Sequence, residues 1–131
     1  MLGIDTNVLV RLLVRDDASQ TRRARELVER SISDGEPVLV SLCVLQETEW
    51  VLRSRYGFEK DALIDLLRST LEARELSFED EPAFEEALFR WKDSTANFSD
   101  CLIFAHNRRL GCRVTATFDR KAARVRGAAA I

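Results

Sequence analysis

Short apolar runs alternate with longer amphipathic stretches along the whole chain. The first run, at about residues 2–5, has the length of a strand and ends in a carboxylate. A polar pair and a second apolar run follow, which predicts a helix over about 7–15. Further helices are predicted over about 17–34, 42–55 and 59–74, from near Pro82, and through Leu102 to Gly111. Further strands are predicted over about 38–41, 75–80, 113–118 and 128–131, with a polar loop at 94–99 and a short basic helix or turn at 119–126.

Strands that alternate with helices favour an α/β fold with a mostly parallel sheet and helices on both of its faces. The length of 131 residues is typical of one domain with one core, so we expect a single domain over 1–131. The apolar fraction of 46% is ample for such a core.

The chain contains no apolar run near the ~20 residues that cross a bilayer, and its start lacks the features of a signal peptide. Three cysteines, Cys43, Cys101 and Cys112, stand at wide spacings without a CxxC pair. This pattern predicts reduced, ordinary buried cysteines in a cytoplasmic protein with no membrane association.

Charge is distributed unevenly along the chain. Residues 1–100 carry a net charge of −8, whereas residues 101–131 carry +6. A basic end on an acidic body can mark a surface that faces nucleic acid. A solvated face or a protein partner explains the same charge equally well.

Several acidic side chains occupy positions that suit chemistry. Asp5 and Asp119 each follow a predicted strand, and Asp100 lies in the first turn of a predicted helix. If those two strands are parallel, both carboxylates lie at the same sheet edge, where α/β folds bind ligands. Each aspartate could instead be a helix cap or a turn residue. Helical periodicity does not choose between Glu47 and Glu49.

Four short motifs follow one another along the chain in a characteristic order. They are IDTNV at 4–8, LQETEWVL at 45–52 with Tyr56-Gly57 after it, SDCLI at 99–103 leading to LGC at 110–112, and TFD at 117–119. In these motifs the chain resembles PIN-domain proteins, specifically the VapC-type toxin ribonucleases of bacterial toxin–antitoxin pairs, over essentially its whole length. The resemblance implies a three-layer α/β/α sandwich with a sheet of four to five strands.

The resemblance also implies which residues act. It assigns Asp5, Glu47, Asp100 and Asp119 as the catalytic acids, with Asp5, Asp100 and Asp119 holding Mg²⁺ or Mn²⁺. It favours Glu47 over Glu49, because Glu49 falls where the family usually has an apolar residue. Thr6, Asn7, Asn97 and Thr117 are the expected supporting residues. Many members carry an acid where this chain has Asn97, so a second metal ion could bind weakly or not at all.

Clustered carboxylates raise each other's pKa values, and a divalent cation relieves that repulsion. Ligand sets made only of oxygen favour Mg²⁺ or Mn²⁺ over zinc. The expected reaction is hydrolysis of an RNA phosphodiester by a metal-activated water, which leaves a 5′-phosphate. A ribonuclease that used the 2′-hydroxyl would need a histidine or lysine pair, and His106, the only histidine, is expected to be a helix-surface or packing residue.

The basic end follows two of the four acids and could hold RNA phosphates. The candidate RNA-binding residues are Arg108, Arg109, Arg113, Arg120, Lys121 and Arg124, with Arg126 beside them. The resemblance further implies a homodimer and a cognate VapB-type antitoxin, which could join it in a higher complex. Apolar residues on the 17–34 and 59–74 helices, beyond those that the core needs, are candidates for the antitoxin groove. Two alternatives stay open, a catalytically degraded scaffold that binds RNA or protein, and a phosphotransferase with Asp5 as nucleophile.

Overall fold

Six α-helices and five short strands form the fold in the computed structural model, which describes all of residues 1–131. The helices are α1 (Thr6–Leu13), α2 (Ala18–Ser33), α3 (Leu42–Ser54), α4 (Lys60–Glu72), α5 (Glu81–Lys92) and α6 (Phe98–Arg109). The strands are β1 (Leu2–Gly3), β2 (Val38–Val40), β3 (Leu76–Phe78), β4 (Thr115–Thr117) and β5 (Ala128–Ala130), and a 3₁₀ helix covers Ala122–Arg124. The chain divides into two compact units, unit 1 (residues 1–79) and unit 2 (residues 80–131).

Unit 1 contains a three-stranded parallel sheet in the order β1-β2-β3. Two helices connect each strand to the next, which is the crossover that parallel neighbours require. Val38 and Val40 of the central strand are fully buried, as expected for a strand with apolar cover on its faces. Helix α1 packs against α2 and α3, and α3 packs against α4.

Unit 2 is built on the pairing of α5 with α6. Phe98 anchors this contact, since its ring lies 5.3 Å from the Trp91 ring and 6.2 Å from the Phe84 ring, edge to face with the latter. Helix α6 ends at Arg109 with Leu110 as its C-cap, and Gly111 follows with a φ of +99°, a conformation that glycine adopts readily. The C-cap predicted at Gly111 therefore lies one residue earlier, at Leu110. Strands β4 and β5 form a separate parallel pair.

The predicted α/β class with parallel strands is confirmed, and all five predicted strands are present. The strands form two hydrogen-bonded sheets, one of three strands and one of two, whereas a single sheet was expected. The difference arises because β4 pairs with β5 alone. The strands are shorter than predicted, and α6 begins at Phe98 inside the predicted loop because Asn97 caps it. The single domain over 1–131 stays a prediction.

Two further observations bear on the sequence analysis. None of the helices combines the length and the apolar character that crossing a membrane requires. All three cysteines are free thiols, but only Cys101 is buried. The expectation of buried cysteines is therefore wrong for Cys43 and Cys112, whose helix-start and loop positions expose them.

Candidate active site

Asp5 links the first strand to the first helix. Its Oδ1 accepts a hydrogen bond from the backbone N–H of Val8 at 3.0 Å, so Asp5 is the N-cap of α1. Its Oδ2 has no hydrogen-bond partner, and the side chain is exposed. Asp5 therefore fulfils the structural role of a cap and still presents one oxygen to a ligand.

A cavity of about 530 Å³ opens beside this aspartate in unit 1. Asp5 and Asn7 line it together with residues of α1 and α2. Three arginines complete its wall, Arg11, Arg23 and Arg30. Arg11 is held by Gln20, Asp16 and Tyr56, whereas Arg23 and Arg30 form no ion pair. The cavity thus joins an acidic end to a basic wall, and sequence analysis had not assigned the α2 arginines to any site.

Glu47 and Glu49 on α3 have opposite environments. Glu47 is exposed and forms no ion pair. Glu49 is buried, and Arg53 donates to it from one helical turn away at 2.9 Å. This partner raises the pKa of Arg53 through the hydrogen bond and through its charge. Glu49 is committed to that pair, which leaves Glu47 as the available carboxylate.

Asp119 repeats the arrangement of Asp5 in unit 2. Its Oδ1 accepts from the backbone N–H groups of Lys121 at 2.8 Å and Ala122 at 3.1 Å, at the start of the 3₁₀ helix. Its own N–H donates to the Thr117 hydroxyl at 3.0 Å. Thr117 and the helix start therefore fix the carboxylate, while Oδ2 has no hydrogen-bond partner.

Asp100 lies near Asp119 and is half-buried on α6. Burial raises the pKa of the Asp100 carboxyl, and the negative charge of Asp119 raises it further. The backbone N–H of Asp100 donates to Asn97 Oδ1 at 2.8 Å, so Asn97 caps α6 and orients its first turn. Two carboxylates without a cationic partner thus lie close enough to repel each other.

The four predicted acids are divided evenly between the units. Asp5 and Glu47 belong to unit 1, and Asp100 and Asp119 belong to unit 2. Within each unit, no three histidine, cysteine, aspartate or glutamate side chains form a group able to hold a metal ion. The convergence of all four acids therefore stays a prediction.

Comparison with known families completes this picture. Residues 3–128 match the PIN domain. The chain belongs to the PIN domain family. Members of this family are generally nucleases that bind or cleave RNA, and they typically use divalent metal ions. Among curated proteins, none matches this PIN domain.

The donors of this PIN domain fit a hard divalent cation. Asp100, Asp119 and Asp5 offer only carboxylate oxygen, and Mg²⁺ needs only one or two direct carboxylates because it retains several waters. The repulsion between Asp100 and Asp119 is the kind that a bound cation relieves. The residues present therefore suit the metal that the family uses.

The predicted RNA-binding residues of the PIN domain fall into two groups. Arg108 donates to Glu86 at 2.5 Å and Arg109 donates to Asp80 at 2.5 Å, so both guanidinium groups are already engaged by carboxylates. The remaining candidates are exposed and form no ion pair, namely Arg113, Arg120, Lys121 and Arg124. The second group is the one available to RNA phosphates.

A buried cluster around Asp80 was missed by the sequence analysis. Asp80 caps α5 through Ala83 and accepts from His106 Nδ1 at 2.7 Å and from Arg109. Burial would raise the pKa of Asp80, but hydrogen bonds from His106, Ala83 and Arg109 outweigh it and lower that pKa. His106 is therefore a residue of the helix surface that hydrogen-bonds to Asp80, and the signal for Asp80 was the N-cap position before Glu81-Pro82.

Proposed function

We propose that this PIN domain is a Mg²⁺- or Mn²⁺-dependent endoribonuclease, the cytoplasmic toxin of a VapBC-type toxin–antitoxin pair. The observation that carries the proposal is the Asp100–Asp119 carboxylate pair, which has no cationic side-chain partner and in which burial, followed by the charge of Asp119, raises the pKa of Asp100. The family resemblance at four motifs and the match to the PIN domain support the same activity.

Asp100, Asp119 and Asp5 would hold the cation. Asp119 and Asp5 would bind it through Oδ2, because their Oδ1 oxygens already accept backbone N–H groups. When bound, such a cation lowers the pKa of an attached water and neutralises charge on a phosphate. Asn97 and Thr117 act indirectly, since they orient Asp100 and Asp119 through backbone hydrogen bonds. Glu47 is the fourth acid and stands exposed on α3.

Hydrolysis requires the attacking water to lose a proton as its oxygen bonds to phosphorus. One of the four acids would orient the attacking water and accept that proton. The bond from phosphorus to the 3′-oxygen breaks, which leaves a 5′-phosphate and a 3′-hydroxyl. His106 is held by Asp80 and is the only histidine, so the chain offers no histidine pair for attack by the 2′-hydroxyl.

The proposal is tested by incubating the purified full chain with structured RNA and Mg²⁺ or Mn²⁺. We expect cleavage that EDTA abolishes, and products with a 5′-phosphate that a phosphatase removes. Asp5→Asn and Asp100→Asn should each lower the rate by 10²-fold or more, the usual loss for a group in general acid–base or metal chemistry. Asparagine still caps a helix, so Asp5→Asn separates charge from folding.

Asp61→Asn is the matched control, because Asp61 is an exposed, unpaired acid in the first turn of α4. Cleavage that survives chelation, or that survives Asp100→Asn in a folded protein, would refute the metal mechanism. RNA binding without cleavage would favour the scaffold alternative, and a phosphate label trapped on Asp5 would favour the phosphotransferase.

The proposed antitoxin partner has a candidate docking surface in unit 1, which we name the apolar groove. It has a volume of about 670 Å³ and is formed by α1, α2, the end of α4 and β3. Its apolar lining comprises Leu9, Leu12, Leu13, Val28, Ile32, Ala73 and Leu76. Arg15, Arg25, Glu29 and Glu75 add charges of both signs to the lining. An amphipathic antitoxin helix matches this mixture, since it buries an apolar stripe and pairs charges at the edge.

A further inference from the structure

Unit 2 contains a polar cleft that the proposed catalytic residues do not use. It has a volume of about 330 Å³ and lies between the end of α5 and the end of the 3₁₀ helix. We name it the arginine cleft, and it is lined by Phe89, Arg90, Asp93, Ser94, Arg124 and Arg126, among others. Its size is at the small end of the ~300–1,000 Å³ range of ligand pockets.

The cleft carries more positive charge than its own residues neutralise. Three arginines face one aspartate, and Arg124 and Arg126 form no ion pair with any side chain of the protein. Arg90 Nε is buried and has no hydrogen-bond acceptor, since Glu86 Oε1 lies 3.9 Å away. Glu86 is therefore the countercharge of Arg90, and Arg124 and Arg126 remain the unneutralised cations of the cleft.

Phe89 adds an aromatic surface at the edge of these charges. Its side chain is 66% exposed, which is unusual for a large apolar residue on a helix that packs its other face. The Arg90 guanidinium lies 5.2 Å from the centre of the Phe89 ring. An open ring beside arginines is the combination by which proteins stack unpaired bases and hold the adjoining phosphates.

We propose that the arginine cleft binds one nucleotide of single-stranded RNA, with the base stacked on Phe89 and the phosphate held by Arg124 and Arg126. The identity of the ligand as RNA rests on the proposed function. Asp119 Oδ1 accepts a hydrogen bond from the N–H of Ala122, the first residue of the 3₁₀ helix, and Arg124 is its last residue, three 3₁₀ residues spanning roughly 6 Å. An RNA strand that passes Asp119 can therefore place a neighbouring nucleotide in the arginine cleft.

The test measures binding separately from cleavage. The full chain is titrated in EDTA with a fluorescent eight-nucleotide oligoadenylate and with a ribose-phosphate strand of equal length that lacks bases. Phe89→Leu should weaken oligoadenylate binding about tenfold and leave binding of the abasic strand unchanged. Arg126→Gln should weaken both, and it should reduce the slope of log K against log salt by about 0.7, the value for one lost phosphate contact on a single strand.

Lys92→Gln is the matched control, since Lys92 is exposed on α5 and does not line the cleft. Phe89 and Arg126 are exposed, so their variants are expected to keep the thermal midpoint of the wild type. Equal effects of Lys92→Gln and Arg126→Gln would overturn the proposal. Cleft-dependent binding of an acidic peptide in place of oligoadenylate would also overturn it, in favour of a protein partner.

The outcomes also separate this inference from the proposed function. If the wild type cleaves RNA and the cleft variants bind and cleave it equally well, the proposed role of the arginine cleft is refuted. The proposed ribonuclease activity then still stands. Cleft-dependent binding of oligoadenylate without cleavage in Mg²⁺ or Mn²⁺ would support the cleft and refute the ribonuclease.

Discussion

At the scale of single residues, Asp80 and Asp100 are two carboxylates of unit 2 whose pKa values shift in opposite directions. Burial would raise the pKa of Asp80, but His106, the Ala83 N–H and Arg109 lower it. Burial and the charge of Asp119 raise the pKa of Asp100. A lowered carboxyl pKa contributes stability, whereas a raised one shows that the ionised form destabilises the fold. Asp80 is thus a structural acid, whereas the ionised form of Asp100 destabilises the fold, a cost that the proposed cation would offset.

Replacing each acid by asparagine should therefore change stability with opposite signs at pH 7. We expect Asp80→Asn to lower the free energy of unfolding by about 1–3 kcal/mol, the usual cost of unsatisfied buried hydrogen-bonding groups. We expect Asp100→Asn to raise the free energy of unfolding in metal-free buffer. Urea unfolding of the full chain, followed by circular dichroism, measures both.

The pH dependence checks the cause. The contribution of Asp80 is present above the unfolded pKa near 3.8 and is lost as pH falls through its lower folded value. The penalty of Asp100 is absent below pH 3.8 and develops as pH rises through its higher folded value. Glu85→Gln is the control, because Glu85 lies on the exposed face of α5 and its replacement should change neither pH-dependent contribution to stability. A stabilising Asp80→Asn would contradict this account.

At the scale of helices, the residues that start elements and the residues that carry chemistry overlap. Five of the six α-helices begin on a side chain that accepts a backbone N–H. The capping residues are Asp5, Asp17, Ser41, Asp80 and Asn97. Asp5 caps with one oxygen and keeps the other free, and Asn97 holds Asp100 in the first turn of α6. Capping and ligand binding are therefore compatible roles for one residue.

Asn97 offers a direct test of this overlap. Asn97→Ala removes the cap and should lower the free energy of unfolding by about 1 kcal/mol. Asn97→Asp keeps the cap, places a negative charge at a helix start and adds an acid beside Asp100, so we expect stability near that of the wild type and tighter Mn²⁺ binding. Urea unfolding and calorimetric titration with Mn²⁺ measure the two effects. Tighter Mn²⁺ binding by Asn97→Ala would show that the amide itself hinders the metal.

At the scale of the whole chain, two compact units each contribute two of the four acids and one distinctive surface. Unit 1 carries the apolar groove, together with Asp5 and Glu47. Unit 2 carries Asp100, Asp119 and the arginine cleft. The proposed antitoxin surface and the proposed RNA surface thus belong to separate sets of residues. A substitution in one surface should leave the function of the other unchanged.

Ile32→Glu tests the apolar groove. Ile32 is 44% exposed and lines the groove, so a charge there should disturb partner binding more than folding. We expect affinity for the proposed antitoxin partner to fall by about 30-fold or more, the effect of losing a central apolar anchor. Calorimetry with purified antitoxin measures the loss, and ribonuclease activity should escape inhibition.

Leu110→Glu is the control, because Leu110 is an exposed apolar residue of unit 2 outside the groove. Normal antitoxin binding and inhibition with Ile32→Glu would place the antitoxin elsewhere. Light scattering of the free chain, run in parallel, tests the proposed homodimer.

The sequence by itself was sufficient for the elements and for the parallel direction of the strands, because local periodicity determines the elements and the alternation of strands with helices determines the direction. Tertiary structure decided which charged groups are free. Glu49 and Glu47 lie two residues apart, yet only packing buries the first against Arg53 and exposes the second. Likewise, Arg108 and Arg109 look like RNA ligands until α5 brings Glu86 and Asp80 to them. The burial of Glu49 and the ion pairs of Arg108 and Arg109 depend on residues distant in sequence, and no local pattern encodes those contacts.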